Sequence, residues 1–337
     1  MCSYGLFGED FRLQKLSELG DSLEKLNRVV DWEIFRETLN ECFKKENKGC
    51  GGRPAYDYIL MFKIVILQKM YNLSDDRTEF QINDRMSFMR FLGLNLNDRV
   101  PDSKTIWLFK EKLAQAKIEK KLFNIFNTKL KEAGLIQNEG VIVDATFVEV
   151  PKQRNTREEN KDIKDGKTPE GWGKDDPKTL HKVAQKDIDA RWTSKNGERY
   201  YGYKNHVKAD VKSKVILDYT VTSASVHDSN EISKLVKEED RIVYADSAYK
   251  GKEKDISEDV EKVFCEKGYR GKPLTELQKL GNKIKSRIRA RIEHIFGFMT
   301  NSMNAFKIRC IGKKRADFNV GLANMVYNMC RLSILRQ

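Results

Sequence analysis

Proline is scarce, 6 among 337 residues, and neither it nor glycine forms a biased tract, which excludes collagen-like and proline-rich linker architectures. Cysteine is as scarce. Cys2, Cys42, Cys50, Cys265, Cys310 and Cys330 form no C-x-x-C pair and have no histidine cluster beside them, so neither a zinc site nor a disulfide framework is indicated. No apolar run approaches the roughly 18 residues a membrane helix needs. The opening residues, MCSYGLFGEDFRLQKL, lack the basic-then-apolar order of a secretory leader. The expectation is a cytoplasmic protein in a reducing compartment, with no membrane partner.

Charge is what the chain has in excess. Lys and Arg number 63 against 50 Asp and Glu, a formal +13, and the chain is 34% charged and 39% hydrophobic. That composition folds into a globular protein, and the surplus suits a polyanion, nucleic acid first. The bland alternative is a generally basic proteome, since net charge speaks only to non-specific binding. A chain of this length exceeds one comfortable core, so two domains, or one with a long insertion, are expected.

From Phe11 to about Leu135 the pattern is helical. Leu13, Leu16, Leu19, Leu23 and Leu26 recur at three- and four-residue steps, as one buried helix face requires. The run Tyr58 to Met70 is apolar nearly all round and predicts the central helix of a bundle. Ser74, Asp75 and Asp76, with Glu79 following, read as caps; Pro101-Asp102-Ser103 starts a helix through Ala116, and another runs from Glu119 to Ala133, closed by Gly134.

The pattern changes at Gly140. VIVDATFVEV reads as a strand, and a stretch from about 151 to 198, rich in Lys, Asp, Gly and Pro, reads as a charged insertion loop. In YYGYKNHVKADV, alternation puts Tyr201, Tyr203, Val207, Ala209 and Val211 on a core face and Lys204, His206, Lys208 and Asp210 on a polar, basic one. Lys212-Ser213-Lys214 then turns the chain into an antiparallel partner, VILDYTVTS. A helix from about Asn230, the strand RIVYAD, the strand VEKVFCEK and a long basic helix through Phe298 complete the order. The fold class is mixed α+β or α/β: an all-helical domain over 1–138, then a mixed sheet flanked by helices over 139–337.

Three acids sit in unusual places. Asp144 lies within an apolar strand, where a carboxylate is costly unless paired or bound to a cation. Asp246 ends RIVYAD, at the strand edge where open sheets place ligands; an Asp before a helix is equally a good N-cap, and the residue alone does not separate the two. Glu293 is the only acid between Lys283 and Arg315, among ten basic residues. It borders the stripe Ile288, Ile292, Ile295, Phe296 and Met299 and is expected to aim toward the sheet; the alternative is a weak i, i+4 ion pair with Arg289. Asp228, with Glu231 three residues on, reads as a structural N-cap, and His227 beside it as structural too. Trp172 and Trp192 either anchor the loop or stack on an unpaired base.

Taken in order, VIVDATFVE, YYGYKNHVKAD, VHDS, IVYADSAYKG and RARIEHIFG resemble the catalytic domain of bacterial insertion-sequence transposases of the Asp-Asp-Glu class. RPAYDYILMFKIVILQKMYNLSDDRTEFQINDRMSFMRFLGL and VPDSKTIWLFKEKL resemble that family's helical domain. The resemblance implies a ribonuclease H-like fold whose catalytic, metal-binding acids are Asp144, Asp246 and Glu293. It implies Mg²⁺, with Mn²⁺ substituting, because hard cations take oxygen ligands and a pair of them serves in-line displacement at phosphorus. It also implies terminal inverted repeats and target DNA as partners, and a homodimer or higher assembly on DNA, close to the nucleoid. Arg289, Lys204, His206 and Lys208, and in the helical domain Lys104 and Lys110, are the candidate DNA contacts; a solvated edge is the alternative for the strand residues. Many relatives place a tyrosine and a lysine around the Arg and Glu, where this chain has Ser286 and Thr300. A metal-dependent nuclease that cuts without rejoining, or a domesticated DNA-binding protein, are the competing functions.

Overall fold

The computed structural model describes residues 8–44, 54–167, 169, 172, 185–195, 197–269, 271 and 273–336. Cys2, Cys50, Arg53 and residues 173–184 of the charged insertion lie outside them. The chain divides into two compact units, one of residues 1–137, 301–305 and 321–337, the other of 138–300 and 306–320.

The first unit is helical: α1 (Gly8–Glu18), α2 (Ser22–Val29), a 3₁₀ turn (Trp32–Phe35), α3 (Arg36–Phe43), α4 (Tyr58–Met70), α5 (Asp75–Asp84), α6 (Met86–Leu92), α7 (Ser103–Ala116) and α8 (Glu119–Glu132). Helix α4 is its centre, with Ile59, Met61, Phe62, Ile64, Val65, Ile66 and Leu67 all buried. Capping side chains set the helix starts: Asp57 accepts from the Ile59 and Leu60 amides, Ser74 from Arg77, and Asp102 from Thr105. Glu79 does not close a capping box; its carboxylate accepts the Ser103 amide, tying α5 to the start of α7.

The single leucine face from Leu13 to Leu26 is not formed. Gly20, at φ +86°, breaks the chain between α1 and α2; Leu23 and Leu26 are buried while Leu19 is exposed. A positive φ is cheap for glycine and ends the helix before the periodicity does.

The second unit holds β1 (Val141–Glu149), α9 (Arg157–Lys164), β2 (Arg191–Lys195), β3 (Glu198–Asp210), β4 (Ile216–Ser223), α10 (Ile232–Leu235), β5 (Ile242–Ala245), β6 (Glu261–Phe264), α11 (Glu276–Asn301) and the start of α12 (Lys313–Leu335). The strands form one mixed six-stranded sheet. Its order is β2-β3-β1-β5-β6 with β4 also on β3; β1 is antiparallel to β3 and parallel to β5, and β5 is parallel to β6. An antiparallel meander followed by parallel strands, with helices alongside, is the ribonuclease H-like arrangement.

The insertion is not simply a loop. Thr156 and Glu159 form a reciprocal capping box at the start of α9, and β2 pairs with the first half of β3. Asp187, almost fully buried, accepts from Tyr203 Oη at 2.7 Å and from the amides of Asp189, Ala190 and Gly312. Trp172 is buried and donates to Glu159, which makes it an anchor of the loop.

The basic face expected on β3 is not open to solvent. Lys204, His206 and Lys208 are less than 10% exposed, because the segment after β4 covers them and brings matching acids. Lys204 pairs with Asp228 at 2.8 Å and Lys208 with Asp240 at 2.9 Å. With Asp228 spent on Lys204, the side chain of His227 caps the 3₁₀ turn Asp228–Glu231, accepting from the Ser229 amide.

Candidate active site

Strands β1 and β5 pair only at Val141↔Val243 and Ile142↔Tyr244. Asp144 and Asp246 each follow the last paired residue by two positions, so both acids come off neighbouring parallel strands where the strands part, at their C-terminal ends. Ligand sites in open sheets lie at such places. Asp246 Oδ1 accepts the Ser247 amide at 2.7 Å as the N-cap of the turn Ser247–Tyr249, while its Oδ2 stands 3.7 Å from Arg289 Nη1. The capping and clustering readings of Asp246 therefore both hold, one carboxylate oxygen to each.

Asp144 is the most enclosed of the three. Its Oδ1 accepts the Ala145 amide at 2.8 Å and its Oδ2 lies 3.4 Å from Arg289 Nη1. Burial pushes its carboxyl up from 3.8 to about 6, against the smaller pull of the Ala145 amide and of the Arg289 and Lys195 charges. A carboxylate so placed gains from any added cation.

Helix α11 supplies the rest. Ile292, Ile295 and Met299 are its buried stripe, and Arg289 extends from the preceding turn to the acids. Glu293 does not aim into the interior: its side chain is 65% exposed, and its Oε1 lies 3.9 Å from Arg289 Nη2. The i, i+4 pair forms, but its arginine also serves two aspartates, so one guanidinium stands among three carboxylates. The donor set is all oxygen, which suits a hard divalent cation such as Mg²⁺ or Mn²⁺. Among the described residues no three metal-ligating side chains are grouped tightly enough to hold an ion as they stand; the positive charge between the acids is that of Arg289.

Tyr249, which sequence reasoning passed over, closes the site from behind. It is buried against Val143, Val243 and Ile256, and its hydroxyl has no partner among the described residues. Burial, then the charges of Asp144, Asp228 and Asp246, hold the phenol well above its ordinary range, so it is neutral. Its signal in the sequence was a tyrosine two residues into the turn that Asp246 caps.

The other candidates are dispersed. His206 is fully buried, its Nε2 2.7 Å from Thr222 Oγ1, and burial lowers its pKa to about 4. Lys204 donates to the Val226 carbonyl besides Asp228. In the helical unit Lys104 is exposed on the first turn of α7, and Lys110 is ion-paired with Asp75. Ser286 is exposed, and the Thr300 hydroxyl donates to the Phe296 carbonyl of its own helix. Trp192 is 45% exposed beside Tyr201.

A ribonuclease H-like sheet carrying two aspartates at adjacent strand ends and a glutamate on a following helix defines the class of DDE polynucleotidyl transferases. The family model described as Transposase DDE domain matches residues 136–329, and a second, Transposase domain (DUF772), matches residues 11–112. The chain belongs to the DDE transposases of insertion sequences: it is a DNA transposase. No solved structure gives a significant match to it.

Proposed function

We propose that Asp144, Asp246 and Glu293 are the catalytic carboxylates, and that with bound Mg²⁺ or Mn²⁺ they cut the ends of a transposable element and join them to target DNA. One observation carries this reading: a single guanidinium, that of Arg289, lies within 3.9 Å of all three carboxylates, which come from two strand ends and a helix. When bound, the divalent cations supply Lewis-acid stabilisation of the attacking and leaving oxygens in an in-line displacement at phosphorus.

The residues divide the work. Asp144 is held by its enclosed position and by the amide of its own strand, so it needs little reorganisation to act. Asp246 is aimed by the Ser247 amide, which fixes one oxygen and leaves the other for the site. Glu293, exposed on α11, is the adjustable member. Arg289 keeps the acids together and is the nearest cation to a phosphate bound there. Cleavage and joining are the same displacement, with water and then a 3′-hydroxyl as nucleophile, so one site serves both.

We assign DNA recognition and dimerisation to residues 1–138, with Lys104 and Lys110 as contacts, and chemistry to residues 139–337, of which 301–305 and 321–337 fall in the first compact unit. Two ends must be held together for joining, which calls for at least a homodimer on DNA working at the nucleoid. Strand transfer of a pre-cleaved end in Mg²⁺ tests the reading. Joined product supports it; cutting without joining leaves a metal-dependent nuclease instead.

A further inference from the structure

Helix α11 turns one stripe toward the acids, and the roles above use only its second half. Asn282, Lys285, Arg289 and Glu293 follow one another at steps of three and four residues, so they share a face. Asn282 clamps the start of that face to the end of β6. Its Oδ1 accepts the Glu266 amide at 2.8 Å and its Nδ2 donates to the Glu266 carbonyl at 3.0 Å. One turn before Arg289, Lys285 Nζ donates to the Phe264 carbonyl at 2.7 Å. Phe264 is the register partner of Ala245, the residue before Asp246, in the parallel pair β5 and β6. The ammonium is therefore fixed at the carboxyl end of β6, one strand over from Asp246 at the end of β5, and neighbouring strands lie about 5 Å apart.

That one bond leaves Lys285 with capacity to spare. An ammonium has three donors, and the Phe264 carbonyl takes one. The residue is half-buried, and no carboxylate pairs with it among the described residues. Glu266, two residues beyond Phe264, is ion-paired with Lys250 instead, and the three site carboxylates gather on Arg289. A cation drawn partly out of water with no counter-ion is costly until an anion joins it. Tying α11 to β6 needs no charge, since the neutral amide of Asn282 already does so. Four residues of helix rise about 6 Å, so Lys285 and Arg289 present two cations one turn apart, close to the separation of neighbouring phosphates in one DNA strand.

We propose that Lys285 is a further substrate-binding residue: with the scissile phosphate at Arg289 and the acids, the Lys285 ammonium holds the next phosphate of the same DNA strand at the end of β6. The Phe264 carbonyl aims the ammonium and leaves its other donors for the phosphate oxygens. The occupant is a DNA phosphate, by charge complementarity and because the stripe runs without a break from Lys285 to the acids. The inference rests on the proposed DNA-cutting role.

The test uses the full chain in Ca²⁺ with duplexes that span the end of the inverted repeat, either unmodified or with one uncharged methylphosphonate near the cleavage position. Lys285→Ala weakens binding of the unmodified duplex by roughly tenfold, the lower end of a charged hydrogen bond, and lowers the slope of log affinity against log salt by about 0.9, one duplex phosphate. At one position next to the scissile phosphate, the methylphosphonate weakens the wild type by a similar factor and leaves Lys285→Ala unaffected; elsewhere it acts equally on both proteins. Lys285→Arg keeps the wild-type slope. Lys285→Gln, which retains a donor for the Phe264 carbonyl, behaves as Lys285→Ala does, which separates loss of charge from loss of the tether. If Lys285→Gln binds with wild-type affinity and slope, or if every methylphosphonate acts alike on wild type and variants, Lys285 is a tether only and the inference is wrong while the transposase reading stands. A wild-type protein that binds none of the duplexes overturns both.

Discussion

Arg289 Nη1 lies 3.4 Å from Asp144 Oδ2, across 145 residues of sequence. The same guanidinium reaches Asp246 and Glu293, so without a divalent cation it is the counter-charge of the whole acid cluster. Arg289→Ala is therefore expected to lower metal-free stability by about 1–2 kcal/mol, less than a fully buried pair because Asp246 and Glu293 keep much of their solvent. Addition of Mg²⁺ recovers a larger share of Tm in the variant than in the wild type. Equal Tm and equal Mg²⁺ response, read by thermal unfolding, contradict this role.

Asp144 makes stability depend on pH in a defined direction. Its carboxyl is raised from 3.8 to about 6 by burial, so between those values the folded chain holds the proton that the unfolded chain has lost. Stability from this group is full below 3.8 and is lost as pH rises through about 6. Metal-free Asp144→Asn is expected to be more stable than wild type at neutral pH by up to about 3 kcal/mol, the gap closing as the pH falls through that window. A gap that stays constant with pH, in denaturant titrations, removes burial as the cause.

His206 acts in the opposite sense. Burial lowers its pKa from 6.5 to about 4, so the unfolded chain takes up a proton first as pH falls. The stability it contributes is present above 6.5 and lost as pH falls through about 4. The nearby charges of Asp228 and Glu231 favour the charged form, and those of Lys204 and Lys234 oppose it. Wild type should lose stability relative to His206→Gln across that window; parallel pH profiles for the two proteins speak against it.

Lys208 and Asp240 form an ion pair with side chains 5% and 7% exposed. Lys208→Met leaves Asp240 buried and uncompensated, an expected loss of about 3–5 kcal/mol, while Lys208→Met with Asp240→Leu restores most of it. The salt dependence of DNA binding by the folded variant stays at the wild-type slope, since a buried lysine neutralises no phosphate. A lowered slope returns Lys208 to the DNA contacts.

How far the sequence could be read depended on whether the deciding partner was near in the chain. The strand around Asp144, the apolar helix α4 and the Asp102 cap are local patterns, and each formed as its residues required. The covering of Lys204 and Lys208 was not local. Alternation in β3 marked a polar face, but Asp228 and Asp240, the acids that pair with that face, belong to a later segment, and only the fold brings them over it. The leucine period across Gly20 failed for the converse reason: periodicity persists in sequence through a residue whose φ ends the helix. At the site, the types and order of the three acids were legible, but Arg289 as their common partner was not. An i, i+4 spacing shows one contact of that arginine and none of its reach to two strand ends.

The most direct test of the central claim is cleavage and joining of duplexes carrying the inverted repeats that bracket the reading frame, assayed in Mg²⁺ with Asp144→Asn, Asp246→Asn and Glu293→Gln. The account predicts that each variant binds the duplex with wild-type affinity yet yields neither cut nor joined product, whereas the wild type yields both. Wild-type cutting by any one of the three contradicts it.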